Sequence, residues 1–408
     1  MEDVLSRIQR TQFTDRARAE QMLLEFLRTT LALDVAKVEL RPLAVSLNSF
    51  NGFLTLTDGK RLFFKTHTEP GSVIGEYYNA AALAEAGYPV IQPVYASTQA
   101  GRQLLIYEVV EDPSVFDVAW QIESGDAPRL DDLTAAQHQA DRELAEIYLA
   151  TLRNDDPARA TAPVHQLFYH RLTGPRYRQF YGDGATVTLP MGTLPVSELM
   201  GLRWRINGQE YATSLGELVA HSIELLTPSV QGPSIVGHGD AHNGNVFLRG
   251  QPAHLVYFDP AFAGRHDPLL DLTKPLFHNV FAMWMYFPDE MRRRVTISGR
   301  LESGTIVVEH DHRMVPVRRM FFESKVRHTL IPVVVELARR GWLPDRWREQ
   351  LKAALLCCPL LTMNLTDATR FPPEIALLGL AYAVEMGGES LGVRSVIDQA
   401  LDEVAAAL

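Results

Sequence analysis

Apolar positions recur at helical spacing through residues 16–33, where Met22, Leu23, Phe26, Leu27 and Leu31 share one face behind a cap at Thr14 or Asp15. This pattern predicts an amphipathic helix. From Val38 the period changes. VELRPLAVSL, FLTL and RLFFK read as strands, and Asp58-Gly59 between the last two is a short-range hairpin signal. Residues 72–86 return to a helical pattern, closed by Gly87 and Pro89. Two further strands are expected near 90–96 and 103–110. The order β-β-β-α-β-β describes a small antiparallel sheet with one helix.

Beyond this sheet the helical share rises, beginning with a segment over 133–152. Two stretches interrupt it with strand character. In 185–212, RWRI and EYA flank Asn207-Gly208, and in 294–311, VTIS and TIVVEH flank a Gly-containing turn. They read as β-hairpin insertions on a mainly helical body, and 321–408 continues as apolar helical segments punctuated by Pro359, Pro372, Pro373 and Gly387-Gly388. The chain's 408 residues exceed what one core supports, about 250 to 300 residues, so two lobes are expected. The expected fold is α+β, with an N-terminal helix and small sheet over 1–110 and a larger helical lobe over 111–408.

Composition narrows the function. Lys plus Arg number 39 against 49 Asp plus Glu, a net charge of −10, which argues against binding nucleic acid through general basic charge. Two adjacent cysteines, Cys357 and Cys358, form neither a disulfide framework nor a zinc-finger spacing. The start MEDVLSRIQRTQF lacks a signal-peptide core, and no apolar run reaches the ~20 residues of a membrane span. A cytoplasmic protein that does not enter the membrane is the expectation.

Residues 235–271 concentrate the chemistry: IVGHGDAHNGNVFLRGQPAHLVYFDPAFAGRHDPLLD. Asp240 and Asn245 lie in a loop leading into NVFL, a turn follows, and HLVYFD returns, so Asp259 is expected near Asn245. Carboxylate and amide oxygens suit a hard cation such as Mg²⁺, whose shell substrate phosphates complete. Asp240 is then left to take a proton from an attacking hydroxyl or to hold it in line.

His238-Gly239-Asp240, His242, Asn245, Asp259, Asp267-Pro268 and Asp271-Leu272 together resemble the signature of the aminoglycoside phosphotransferase and choline kinase-like small-molecule kinases. These share the protein-kinase-like fold. The resemblance implies that Asp240 is the catalytic base, that Asn245 and Asp259 hold Mg²⁺, and that Asp267 and Asp271 are structural. Ala241 stands where the family usually has a larger hydrophobic residue. The small lobe offers an independent check. A kinase-like site needs a cation on the third strand and a carboxylate on the next helix; Lys65 ends RLFF and Glu76 falls in 72–86. By the same resemblance the hinge lining adenine lies around Glu108 to Val110. The phosphate-covering turn, Ser46 to Gly52, holds a single glycine, so Ser49 and Asn51 are the candidate phosphate contacts.

The expected activity is transfer of the γ-phosphate of Mg²⁺-bound ATP to a hydroxyl of a small molecule: a sugar, amino sugar, aminoglycoside, nucleoside or amino alcohol. Two rivals stand beside it. A protein kinase would carry a long activation segment where Asp267-Pro268 and Asp271 lie, and a silent nucleotide-sensing module would tend to lose one of Lys65, Glu76, Asp240, Asn245 and Asp259. His238-x-Asp240-x-His242 also admits a hydrolase-type metal cluster, which would leave Lys65 and Glu76 idle. Arg171, Arg176 and Arg178 stand among aromatics in 168–181, either as ordinary solvated or paired arginines or as a wall of the acceptor pocket. Trp284 and Tyr286 read as core or lobe contacts.

Overall fold

The computed structural model describes residues 4–41, 49–67, 72–97, 99, 101–126 and 128–408. The chain divides into two compact units: residues 1–112 with 256–261, and residues 113–255 with 262–408.

The first unit opens with α1 (Val4–Thr11) and α2 (Arg16–Thr29). Asp15 caps α2 by accepting the Arg18 N–H, as the sequence allowed. The sheet follows in the order β1-β2-β3-β5-β4, with β1 Val35–Leu40, β2 Ser49–Leu56, β3 Arg61–His67, β4 Tyr95–Ser97 and β5 Leu104–Glu108. Helix α3 (Ser72–Glu85) intervenes between β3 and β4. Antiparallel β2 and β3 turn at Asp58-Gly59, where Gly59 takes φ +88° and Asp58 accepts the Lys60 N–H at 2.8 Å. Leu23, Leu27, Val38, Leu54, Phe64 and Ile106 build a core that joins α2 to one sheet face. The α+β architecture read from the sequence is the one found. Helix α1 was not foreseen, because its eight residues are mostly polar.

The second unit is mainly helical. It begins with α4 (Val115–Glu123), absent from the expected elements, and α5 (Leu130–Thr151). Helices Trp347–Leu361 and Pro373–Gly387 are buried over nearly their whole length, which their continuous apolar runs require. Cys357 and Cys358 pack there as small apolar groups, with burial pushing the Cys358 thiol up to about 11.

The two strand-bearing insertions are not separate. Ile297–Glu302, Thr305–His310, Arg203–Ile206, Gln209–Tyr211 and Leu391–Gly392 form one five-stranded sheet in that order. Thr305–His310 pairs parallel to Arg203–Ile206, a contact across about a hundred residues that local pattern cannot reveal. No helix of the described residues is long and apolar enough to cross a membrane.

Candidate active site

In the first unit, alternation along β3 buries Leu62 and Phe64 and leaves Lys65 on the face opposite them. Asn51 lies across from Lys65 in the β2–β3 register. Lys65 Nζ is 2.7 Å from Asp259 Oδ1, with the lysine side chain only 13% exposed. Residues 256–261 join this unit through Tyr257, whose N–H donates to Pro89 O at 2.8 Å and whose carbonyl accepts the Ile91 N–H at 2.9 Å. Phe258 then sets its ring edge-on to Phe63 and Tyr107, with centroids 6.2 and 5.2 Å apart. With the two residues before it held, Asp259 adopts φ +56°, an uncommon backbone for a residue with a side chain.

Other expected residues of this unit fall differently. Glu76 lies within α3 and Ser49 begins β2, but their side chains lie outside the described residues, as does the turn 42–48. Glu108 closes β5 with its carboxylate exposed and 2.8 Å from Lys60 Nζ, and half-buried Val110 follows in coil.

In the second unit, strand Pro233–Gly237 delivers the chain to His238-Gly239-Asp240. Gly239 takes φ +80°, and a Cβ there would stand 2.4 Å from Phe262 O, so this turn requires glycine. Buried Asp271 fixes it. Its Oδ1 accepts the Gly239 N–H at 2.5 Å and faces His266 Nε2 at 2.9 Å, while Oδ2 accepts the Tyr148 hydroxyl. Burial alone raises the Asp271 pKa, but these donors and the charge of His266 overcome it and hold the carboxyl at about 2. Asp267 caps the helix Pro268–His278 by accepting the Leu269 N–H at 2.8 Å, and it pairs with Arg159 at 2.8 Å. Both acids are structural, as the resemblance implied. His238 is fully buried and lies 3.4 Å from the Asp240 N–H through Nδ1. Among the described residues no group of three His, Cys, Asp or Glu side chains is arranged to hold a metal ion.

Asn245 Nδ2 donates to the Asp240 carbonyl at 2.9 Å. A carbonyl only accepts, so the amide is oriented with Oδ1 left over as a ligand oxygen. Asp240 Oδ1 is buried and accepts no hydrogen bond. Lys274 Nζ lies 3.8 Å from it, on a lysine side chain 4% exposed. Sequence reasoning passed over Lys274; its signal was a cation set in the apolar helical run PLLDLTKPLFH. The same ammonium reaches His278 Nε2 at 3.3 Å, and His278 Nδ1 lies 2.8 Å from the Tyr286 hydroxyl. Burial, with the charges of Lys274, His242 and Arg171, pulls the His278 pKa well below its ordinary value. A neutral ring accepting from Lys274 at Nε2 carries its proton on Nδ1 and donates to Tyr286. The expected set thus divides, with Lys65 and Asp259 in the first unit and Asp240 and Asn245 in the second.

A family model for the phosphotransferase enzyme family matches residues 39–295, more than half of the chain. The chain belongs to that family. This phosphotransferase is accordingly an enzyme, as its sequence led one to expect. Solved structures similar to the phosphotransferase include a thermostable mutant of aminoglycoside phosphotransferase APH(4)-Ia, in a ternary complex with AMP-PNP and hygromycin B, at 11% identity over 90% of this chain and 97% of that one, TM-score 0.48. A putative fructosamine-3-kinase from Thermobifida fusca is 16% identical over 86% of this chain and 93% of that one, TM-score 0.42. Amicoumacin kinase hAmiN is 14% identical over 95% of this chain and 91% of that one, TM-score 0.40. No curated protein matches the phosphotransferase.

Proposed function

We propose that this phosphotransferase moves the γ-phosphate of ATP to a hydroxyl group of a small molecule, with Asp240 as the base. The observation that carries the reading is the state of Asp240: its Oδ1 is buried, accepts no hydrogen bond from the protein, and sits on a turn that Gly239 and Asp271 hold rigid. A carboxylate kept in that condition is ready to accept a proton. Lys65 is assigned to the α- and β-phosphates, with Glu76 as its helical partner and Ser49 and Asn51 as phosphate contacts. The half-buried rings of Phe63 and Phe258, beside Tyr107, offer an apolar surface for a purine before the hinge at Glu108 to Val110.

The donor set fits Mg²⁺, since Asn245 Oδ1 and the Asp259 carboxylate are hard oxygen ligands. They are the residues assigned to hold it, and when bound it neutralises phosphate charge. Asp240 orients the acceptor hydroxyl and removes its proton as the oxygen bonds to phosphorus; the oxygen bridging the β- and γ-phosphates leaves with ADP. Lys274 stands beside the carboxylate throughout.

Acceptor-dependent ADP release, screened over sugars, aminoglycosides, nucleosides and amino alcohols, tests the reading. Asp240→Ala and Asp259→Ala should each abolish transfer while the protein keeps its melting transition. Turnover retained in either variant removes the assignment.

A further inference from the structure

The three arginines of the aromatic run 168–181 have different fates. Arg178 is exposed. Arg176 donates to the carbonyls of Leu361 and Thr362 at 3.1 and 3.3 Å, closing the end of the helix Trp347–Leu361. Arg171 does neither. Its Nη1 is buried and makes no hydrogen bond. Burial lowers its pKa, Arg176 opposes its charge, and Asp240 is foremost among the groups that favour it.

A buried guanidinium nitrogen with no hydrogen-bond partner is costly, and an oxygen of a bound ligand would satisfy it. Lys274, also buried, stands against the same Asp240, and both cations bear on His278. Lys274 therefore stands at one carboxylate that the proposed reaction needs ionised, and the charge of Arg171 acts on the same group. The remaining surroundings are suited to a carbon skeleton. Tyr286, joined to His278 through its hydroxyl, sets its ring 5.2 Å from Phe116, and Phe287 stacks on Trp120 at 4.3 Å, all four rings half-buried.

We propose that the acceptor is a hydroxylated acid, a small molecule whose carboxylate or phosphate group pairs with the Arg171 guanidinium while its hydroxyl meets Asp240. The inference rests on the phosphotransfer reading above and narrows it. An arginine fork matches the two oxygens of a carboxylate or phosphate. A polycationic acceptor would instead meet Arg171 and Lys274 with like charge, so the aminoglycosides fall out of the expected substrates.

The test compares D-gluconate, D-glycerate and glycerol 3-phosphate with neutral D-glucitol and glycerol and with the polycation kanamycin, at constant ionic strength. ADP release and thermal shift are both read, in wild type and in Arg171→Met. Wild type should be stabilised by, and turn over, acids in preference to their neutral counterparts. The carboxylates and the phosphate ester separate the two anion chemistries. Arg171→Met should lose roughly ten- to a hundredfold of the affinity for acids with little change in the KM for ATP. It should also melt higher than wild type without ligand, because an apolar chain replaces a buried guanidinium with an unpartnered nitrogen.

Equal response to neutral or cationic probes overturns the inference. So does an Arg171→Met protein that melts lower and keeps the preference for acids, and so does a wild type that no acid stabilises at millimolar concentration. Failure of phosphotransfer itself reads differently: wild type would show no Mg²⁺-dependent response to ATP, and Asp240→Ala would change nothing.

Discussion

The Nζ of Lys274 lies 3.8 Å from Oδ1 of Asp240, both side chains being largely shielded from solvent. At that depth the pair interacts more strongly than an ion pair on the surface, and the ammonium is kept in place by His278 at 3.3 Å. Removing the cation leaves the carboxylate uncompensated. Lys274→Met is expected to lower kcat roughly ten- to a hundredfold while the KM for ATP stays near that of wild type. Steady-state kinetics with each substrate varied decides it; an unchanged kcat removes Lys274 from the reaction.

Asp271 predicts a stability profile on the acid side. Its folded pKa of about 2 lies below the ordinary 3.8. The contribution is therefore complete above 3.8 and is lost as pH falls through about 2. Asp271→Asn should destabilise the protein at neutral pH by on the order of 2 kcal/mol, and the gap from wild type should shrink as pH drops through that window. Urea titrations at a series of pH values measure it.

Glu385 predicts the opposite slope. Burial, only partly offset by Lys352, pushes its carboxyl up to about 7 from 4.5. A raised pKa favours the folded state below 4.5, and that advantage disappears as pH rises through about 7. Glu385→Gln should flatten this loss and make the protein more stable than wild type at pH 8, by on the order of 3 kcal/mol. A glutamine variant less stable than wild type at pH 8 contradicts it.

Lys65 reaches Asp259 at 2.7 Å, and the proposed reaction assigns both to the nucleotide and its cation, so its substitution is expected to act there. Lys65→Met should raise the KM for ATP by about tenfold or more and leave the binding of acceptor in the absence of ATP unaltered. Nucleotide titration by calorimetry, with and without Mg²⁺, reads the effect.

Much of the first unit was legible from sequence because its signals are local. The Asp58-Gly59 turn set the register of β2 on β3 and so put Lys65 opposite Asn51, and the cap at Asp15 started α2. Asp240 and Asn245 were legible because a tight, glycine-dependent turn keeps chemistry-bearing residues close in sequence. Lys274, His278 and Tyr286 were not, since a cation inside an apolar helix is visible only when the partner across the fold is known. Arg171 was noticed among aromatics, but nothing local distinguished it from Arg176, whose carbonyl partners lie almost two hundred residues downstream.

The five-stranded sheet of the second unit has an engineering corollary. Since Arg203–Ile206 is the inner neighbour of Thr305–His310, neither segment is a detachable ornament. Trimming one would strip the ladder from the other and present raw amide and carbonyl groups to any passing strand, inviting self-association. A minimal version of this enzyme must keep both excursions or shed them together.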